Sequence, residues 1–167
     1  QRNKRIVDQC DLLVATPKLT DPLWGATVLV AWPAGDGRHL GFILNKPMTV
    51  TLADAFPRHQ PSLKARSRIF LGGPARSNSL FALVRGEQSP GAGSVRISPD
   101  LHAVFRGTTV DEVIEREPDM ARFLVGAVQW QRGELEEEIQ RGAWFIDPPD
   151  TETLMRKDTT ELWRELV

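Results

Sequence analysis

The sequence is poor in cysteine and contains no tyrosine. Cys10 is the only cysteine among the 167 residues, which excludes a disulfide within the chain and a zinc site built from several thiolates. The absence of tyrosine removes a side chain that can act as an acid, a nucleophile or a phosphate ligand. Because free cysteine is typical of a reducing compartment, we expect a cytoplasmic location.

Long apolar runs and an excess of one charge are also missing. No stretch approaches the roughly 18 apolar residues that cross a bilayer, so we expect no membrane partner. Residues 1–10 contain a basic patch without the apolar run of a signal peptide, and we expect them to form a flexible segment. Lys and Arg total 21 against 22 Asp and Glu, for a net charge of −1. This balance argues against a dedicated nucleic-acid-binding protein.

The common catalytic motifs are absent as well. The chain has no phosphate-binding P-loop, no nucleophile elbow and no zinc-binding helix motif. The three histidines, His39, His59 and His102, are scattered and lack the close spacing of metal ligands. We therefore predict no metal and no cofactor, and we expect these histidines to serve packing or surface roles.

Short apolar runs rich in Val and Leu are present and predict strands. Residues 11–16, 26–32 and 39–45 predict an antiparallel meander, with a hairpin turn at residues 33–37. Further strands are expected in five later runs, at residues 69–72, 79–84, 94–97, 102–105 and 143–146. Residues 121–130 form a long apolar run that suits either a buried strand or a helix.

Helix signals lie between and after these strands. Thr51 and Asp54 predict a capped short helix, and Thr109 with Glu112 predicts a capping box for a helix that Pro118 ends. Residues 133–142 predict a helix whose glutamates cover a solvated surface and whose Glu137 pairs with Arg141. A capped helix is expected at residues 159–166. The pattern is α+β, in a single domain over residues 11–167.

Three of the predicted strands end in polar turns that contain proline, "ATPKLTDP", "LNKP" and "LGGPA". Pro47 lacks an N–H donor and is expected not to continue a sheet ladder, and Gly72 and Gly73 permit close approach of a neighbouring backbone. Asn45 can cap its own turn or present an amide to a ligand. Because loops at strand ends often carry sites, the three turns predict a shared binding rim. Its candidate residues are Asp21, Asn45, Lys46, Gly72 and Gly73.

Four segments in order, "LLVATPKLTDPLW", "GFILNKP", "FLGGPA" and "VGAVQWQRGELEEEI" followed by "AWF", resemble the AlgH/YqgE family of uncharacterised bacterial proteins. The resemblance implies a compact domain with a barrel-like, mostly antiparallel sheet and helices packed outside. Glu134 stands where the family usually has Gln, and the Glu-His pair often found before the Gly41 strand is missing. Besides the rim residues, the family motif covers positions that we interpret as structural, namely Pro17, Pro22, Pro47, Pro74, Trp130, Gly133, Leu135, Glu138 and Trp144.

The function expected from these observations is binding without catalysis, of an unknown small molecule or protein, with a regulatory role. One alternative is an enzyme resembling a hydrolase that uses Asp21, Asn45 or Glu138 with a histidine. The family's genetic association with transcriptional control of alginate synthesis implies a second alternative, a DNA-binding regulator. That alternative would use the basic loop at residues 58–68, through Arg58, Lys64, Arg66 and Arg68.

Overall fold

A computed structural model describes residues 7–63 and 67–167 of the chain. The first three strands are β1 (Asp11–Ala15), β2 (Val28–Gly35) and β3 (Arg38–Ile43). β2 pairs antiparallel with both β1 and β3, so the predicted meander is confirmed. Asp36 and Gly37 form the tight turn between β2 and β3 with φ angles of 56° and 76°, the left-handed pair that two-residue hairpins favour.

Seven further strands complete the sheet. They are β4 (Pro47–Thr51), β5 (Arg68–Leu71), β6 (Ala75–Arg85), β7 (Ser94–Ser98), β8 (Leu101–Val104), β9 (Ala121–Trp130) and β10 (Trp144–Asp147). Their order is β10-β1-β2-β3-β9-β6-β8-β7, and β4 pairs with β5 beside this path. The sheet is a curled half-barrel in which only the β5–β9 pairing is parallel among the described residues, as expected from the resemblance.

β9 is the central strand of the fold. Along one edge it pairs antiparallel with β6, and along the other it pairs first with β5 and then with β3. Gly126 has a φ of +78° and interrupts the alternation of side chains between the two faces of the sheet. As a result Leu124 and Ala127 share one face of the sheet, whereas Phe123 and Val128 lie on the other. Residues 121–130 therefore form a strand, with a glycine bulge at Gly126.

Pro47 does not end the sheet, contrary to the prediction from its missing donor. It is the first residue of β4 and lies opposite Phe70 of β5, and the first position of a strand is one where proline is tolerated. β4 was not predicted from the sequence because its residues, "PMTVT", follow the polar turn directly and offer only a weak apolar pattern.

The helices are α1 (Leu52–Ala55), α2 (Gln60–Leu63), α3 (Gly107–Arg116), α4 (Glu134–Gln140), α5 (Thr151–Leu154) and α6 (Leu162–Leu166), with a 3₁₀ turn at Pro118–Met120. The predicted capping box of α1 is present, since Thr51 and Asp54 each accept a hydrogen bond from the other's backbone N–H. No helix among the described residues is long and apolar enough to cross a membrane.

Two predicted helix caps are wrong. α3 begins at Gly107, two residues before Thr109, and the Thr109 hydroxyl donates instead to the carbonyl of Ala92 at 2.7 Å. The last helix begins at Leu162 after a turn, and no side chain caps it. The predicted pair of Glu137 and Arg141 is present, at 3.6 Å between the carboxylate and the guanidinium.

Apolar residues cover both faces of the sheet. On the inner face, Leu12, Val14 and Leu124 pack with Leu154 of α5 and Leu162 of α6. On the outer face, α4 covers one end of the sheet, through Leu135 and Ile139, and α3 covers the other, through Val110 and Ile114.

The start of the described chain is packed against this outer core. Val7 is 1% exposed, and its carbonyl oxygen lies 2.7 Å from Nε2 of His39. Residues 7–10, which the sequence placed in the flexible segment, therefore make specific contacts. Residues 1–6 lie outside the described residues.

Candidate functional site

The turn at Asp21 is held by its own side chain. Oδ1 of Asp21 accepts hydrogen bonds from the backbone N–H groups of Leu23, at 2.8 Å, and Trp24, at 3.1 Å. The Thr27 hydroxyl then donates to the carbonyl of Trp24 at 2.6 Å. These bonds fix the position of Trp24 within a loop that the sequence alone leaves irregular.

Asn45 joins this loop to the end of β3. Its Oδ1 accepts from the N–H of Val28 at 2.9 Å, and its Nδ2 donates to the carbonyl of Ala26 at 2.9 Å. Both ends of the amide are therefore bonded to the backbone that leads from Trp24 into β2. Asn45 does not cap its own turn, as one of its two predicted roles required, but holds a loop that lies 17 to 19 residues earlier in the chain.

Lys46, Gly72 and Gly73 meet where β5 gives way to β3 along the edge of β9. The carbonyl of Lys46 accepts from the N–H of Leu71, and the carbonyl of Gly72 accepts from the N–H of Ile43, both at 2.8 Å. The N–H of Gly72 donates to the carbonyl of Val125 at 2.8 Å. The structure thus brings Asn45, Lys46, Gly72 and Gly73 together at a junction of the sheet. Asp21 is not in contact with them and bonds to Leu23, Trp24 and Gly25 of its own loop.

The rim residues lie beside a second group of family-motif residues, which the sequence assigned to structural roles. Trp130 at the end of β9, Glu138 on α4 and Trp144 at the start of β10 line a cavity of about 350 Å³. Leu19 and Trp24 of the loop form another wall. We call this cavity the tryptophan cleft.

Glu138 is the polar centre of the tryptophan cleft. Its Oε1 accepts from Nε1 of Trp130 at 3.1 Å and from Nε1 of Trp144 at 2.9 Å. Both indoles are 4% exposed, so each buried N–H depends on this carboxylate for its partner. The other carboxylate oxygen, Oε2, has no hydrogen-bond partner in the described part of the chain.

The way α4 begins explains the position of Glu138. Gly133 adopts a left-handed conformation, with φ of 76°, and turns the chain from β9 into the helix. Leu135 and Ile139 are then buried against the sheet, which places Glu134 and Glu138, four residues apart, along the cleft. The interpretation of this glutamate run as solvated surface holds for Glu137 and fails for Glu138.

The charges around the cleft are mixed. Glu134 uses Oε1 to accept from the N–H of Gln131 at 2.8 Å, while Arg141 lies at the cleft wall and pairs with Glu137. Aromatic faces beside a carboxylate form an environment that suits a cationic group or a hydrogen-bond donor.

Trp24 was not identified from the sequence, although its place three residues after Asp21 is the signal that could have found it.

The remaining family-motif prolines, Pro17, Pro22, Pro47 and Pro74, are all exposed in turns or at a strand start. This placement agrees with the conformational role proposed for them, since proline fixes φ and needs no hydrogen-bond partner. None of the four lines the tryptophan cleft.

The histidines do not assemble with the predicted catalytic candidates. His39 and His102 are buried, and none of the hydrogen bonds in the described part of the chain joins a histidine to Asp21, Asn45 or Glu138. His59 links Ser62, at 2.6 Å, to Asp111, at 2.8 Å. This serine–histidine–aspartate order resembles a hydrolase triad, but Ser62 is 0% exposed, so its hydroxyl cannot meet a substrate in this conformation.

The structure also bears on metal binding and on the basic loop expected to contact nucleic acid. Within residues 7–63 and 67–167, no group of His, Cys, Asp and Glu could hold a metal ion. Arg58 and Arg68 of the basic loop are exposed, and Arg68 belongs to β5 rather than to a loop. Lys64 and Arg66 lie outside the described residues.

Comparison with known proteins identifies the family. The family model described as AlgH-like matches residues 12–167. Two relatives, both named UPF0301 protein, come from Cronobacter sakazakii and Cytophaga hutchinsonii. The first is 31% identical over 171 residues, covering 94% of this chain and 88% of its own. The second is 28% identical over 159 residues, covering 93% of this chain and 86% of its own.

Solved structures agree on the fold. The solution structure of the AlgH protein from Pseudomonas aeruginosa has a TM-score of 0.72 and 21% identity, covering 87% of this chain and 79% of that one. The crystal structure of a protein from Corynebacterium diphtheriae has a TM-score of 0.75 and 20% identity, covering 99% and 87%. With a family model matching nearly its whole length, the chain belongs to the AlgH-like family of uncharacterised bacterial proteins.

Proposed function

We propose that this protein is a non-enzymatic binding domain whose site is the tryptophan cleft. The observation that carries the proposal is Glu138, which is bonded to two buried indoles and keeps one carboxylate oxygen free at the wall of a cavity. A volume of about 350 Å³ lies within the usual range of small-molecule sites, which are mostly apolar with a few fixed polar groups.

The chemistry of the cleft favours a ligand that carries an amine or another cationic group. Trp24, Trp130 and Trp144 supply aromatic faces, and tryptophan is the side chain that attracts a cation most strongly in this way. Glu138 supplies a negative charge whose position is fixed by the two indoles. A free small molecule and the basic side chain of a partner protein share this chemistry.

The rim residues take a supporting role in this proposal. Asp21 and Asn45 hold the loop that carries Leu19 and Trp24, and the Gly72–Gly73 backbone packs against the part of β9 that continues into Val128 of the cleft. Lys46 is half-buried at the junction and makes no ion pair in the part of the chain that the structure describes. Direct binding at the rim stays a prediction, and Lys46 is the side chain that would carry it.

The protein has a regulatory role if a ligand bound in the cleft changes a surface that a partner protein recognises. The proposal includes a cytoplasmic location, in keeping with the free cysteine.

Neither of the two alternative functions expected from the sequence, a hydrolase or a DNA-binding regulator, gains support. A hydrolase needs acid, base and substrate within reach in one cleft, and of the four cations expected to contact DNA only Arg58 and Arg68 belong to the described residues.

Native mass spectrometry of protein purified gently from its own host tests the proposal. A co-purifying small molecule or protein is expected, and its mass should be lost in the Glu138→Gln variant, which removes the charge while keeping an acceptor oxygen for the indoles. Glu136→Gln makes the same change on the same helix outside the cleft lining and should retain the mass.

Tryptophan fluorescence provides the second measurement, since three of the five tryptophans lie in the cleft. Titration with a panel of primary amines, guanidines and quaternary ammonium compounds should quench or shift the emission of the native protein, and much less that of Glu138→Gln. A bare chain by mass, together with no response to any compound of the panel, would remove the cleft as a binding site.

A further inference from the structure

Three arginines lie side by side at the opposite end of β9 from the tryptophan cleft. Arg122 is the second residue of β9, Arg68 begins β5 and Arg85 ends β6. β5 and β6 are the two neighbours of β9 in this part of the sheet, with Phe70 opposite Leu124 and Leu83 opposite Arg122. Strand alternation therefore places all three arginines on the inner face of the sheet, at the end where β9 begins. We call this group the arginine edge.

Arg122 is buried at the arginine edge without a countercharge. It is 7% exposed, and no carboxylate in the described part of the chain contacts its guanidinium. Nη1 donates to the carbonyl of Leu154 at 3.1 Å, and Nη2 donates to the carbonyl of Arg156. The guanidinium also lies over the ring of Phe70, with 4.2 Å between its central carbon and the ring centroid.

These neutral contacts position the cation but do not neutralise it. Burial lowers the pKa of Arg122 to about 10, which still leaves the group charged at neutral pH. Burying an uncompensated charge is costly, and buried charges in folded proteins are normally paired. The guanidinium also carries more N–H donors than its two hydrogen bonds use. The missing partner of Arg122 is therefore an anion.

The surroundings of Arg122 offer space for such an anion. A cavity of about 710 Å³ is lined by Arg122, Arg68, Arg85 and Lys157, with Asp119 as the acidic side chain of its wall. Arg85 also forms an ion pair with Glu152 at 3.3 Å, but the Glu152 side chain is 82% exposed, so solvent screens this pair. Positive charge therefore dominates the cavity, although the whole chain is nearly neutral.

We propose that this cavity binds a small molecule that carries a phosphate group. Arg122 holds the phosphate through its unused N–H groups, and Arg68 and Lys157 add charge from the two sides. The planar guanidinium matches the oxygens of a phosphate in a bidentate geometry, and the carbonyls of Leu154 and Arg156 with the Phe70 ring fix its plane. The volume leaves room for an organic part beside the phosphate. The site shares no residue with the tryptophan cleft, so the two proposals stand or fall separately.

Calorimetric titration at constant ionic strength tests this site, with inorganic phosphate, pyrophosphate and adenosine monophosphate as probes. We expect at least one phosphate-bearing probe to bind, and Arg122→Met to weaken its binding by more than tenfold. Met fills the space of the arginine stem without a charge, and because it also leaves the carbonyls of Leu154 and Arg156 without their donor, the fold of the variant is checked by its midpoint of urea unfolding. Arg38→Met removes a charge from an exposed position outside the cavity and should bind as the native protein does.

A second variant keeps the proposal testable if Arg122→Met does not fold. The double variant Arg68→Gln/Lys157→Gln changes exposed side chains and should weaken binding several-fold without loss of stability. The proposal is overturned if none of the probes binds better than chloride at equal ionic strength, or if Arg122→Met binds as well as Arg38→Met. Tighter binding of a single-stranded oligonucleotide than of the mononucleotide, falling steeply with salt, would overturn the assignment to a small molecule.

Discussion

The backbone of Gly126 in β9 touches the backbone of Gly73, which follows β5. A Cβ atom placed on Gly126 would lie 2.2 Å from the carbonyl oxygen of Gly73, and one placed on Gly73 would lie 2.3 Å from the carbonyl carbon of Ala127. No side chain fits between these two backbones. The contact lies where β5 gives way to β3 along β9, so it sets the course of the strand toward Val128 and Trp130.

Gly126→Ala should therefore destabilise the protein strongly. The new methyl group would meet the Gly73 carbonyl, and alanine would also have to adopt a φ of +78°. We expect a loss of about 3 kcal/mol or more in the free energy of unfolding, measured by urea denaturation. Gly133→Ala is the matched control, because Gly133 has a φ of +76° with no atom within 4 Å of a new Cβ. It should cost only about 1–2 kcal/mol, and equal losses would show that the close approach is unimportant.

The first three strands and the first helix could be predicted from the sequence because their signals are local. β1, β2 and β3 are short apolar runs bounded by turn residues, and Thr51 caps α1 with Asp54 as the pattern indicates. The capping box of Thr109 failed because its hydroxyl bonds to Ala92, a partner 17 residues away. A local pattern carries no information about such a competing contact.

The candidate sites could be predicted only in part, for the same reason. The polar turns at Asp21, Asn45 and Gly72 were identified, but the contacts that bring the last two together depend on the β5–β9 pairing. Glu138 looked like surface because its helix is rich in glutamate, and its two indole partners come from β9 and β10. Nothing in the sequence indicated that Arg122 is buried, since an arginine near the start of an apolar run usually lies at the exposed end of the strand.

Asn45→Ala should lower stability because it leaves two backbone groups without their partners. The N–H of Val28 and the carbonyl of Ala26 both depend on the Asn45 amide. We expect a loss of about 1–3 kcal/mol in urea denaturation. Asn45→Asp keeps the acceptor for Val28 but sets a carboxylate oxygen against the carbonyl of Ala26, so it should not restore the stability of the native protein.

The variant Lys46→Ala distinguishes a rim that only stabilises the fold from a rim that binds a ligand. The bond at this position is made by the Lys46 carbonyl, which alanine retains, so we expect a change within about 0.5 kcal/mol. If a ligand found by mass spectrometry still binds this variant with unchanged affinity, Lys46 takes no part in binding and the rim is a fold determinant.

His102 makes the stability of the protein depend on pH. It is 3% exposed and its Nδ1 has no hydrogen-bond partner within the described residues. Burial, with a smaller contribution from Arg96 across the β7–β8 ladder, lowers the pKa of His102 below its ordinary value of 6.5. Because the unfolded chain binds the proton more readily, stability should be complete above pH 6.5 and should fall as the pH drops below it.

The measurement is the midpoint of urea unfolding between pH 8 and pH 5, for the native protein and for His102→Gln. Glutamine cannot take up the proton, so the variant should lose less stability over this range, whatever its stability at pH 8. Parallel pH profiles for the two proteins would assign the acid sensitivity to other groups.

Cys10 should be unreactive although it is a free thiol. The side chain is half-buried, and its Sγ donates to the carbonyl of Arg96 at 3.4 Å. Burial, reinforced by the neighbouring charge of Asp11, raises the pKa of Cys10 from 9.0 to about 11. At pH 8 this reduces the thiolate fraction by about 100-fold. Since the thiolate is the nucleophile, iodoacetamide should alkylate the native protein about 100-fold more slowly than an ordinary thiol, as followed by intact mass.

The same protein unfolded in urea provides the control, because unfolding exposes the thiol to water and so removes burial, the larger cause of the raised pKa. Alkylation should then reach the rate of a small-molecule thiol at the same pH. The native rate should also rise tenfold per pH unit between pH 8 and pH 10, as expected for a group that titrates above that range. A native rate that levels off near pH 9 would show a thiol with its ordinary pKa, and the packing of Cys10 against Arg96 would then be looser than the structure shows.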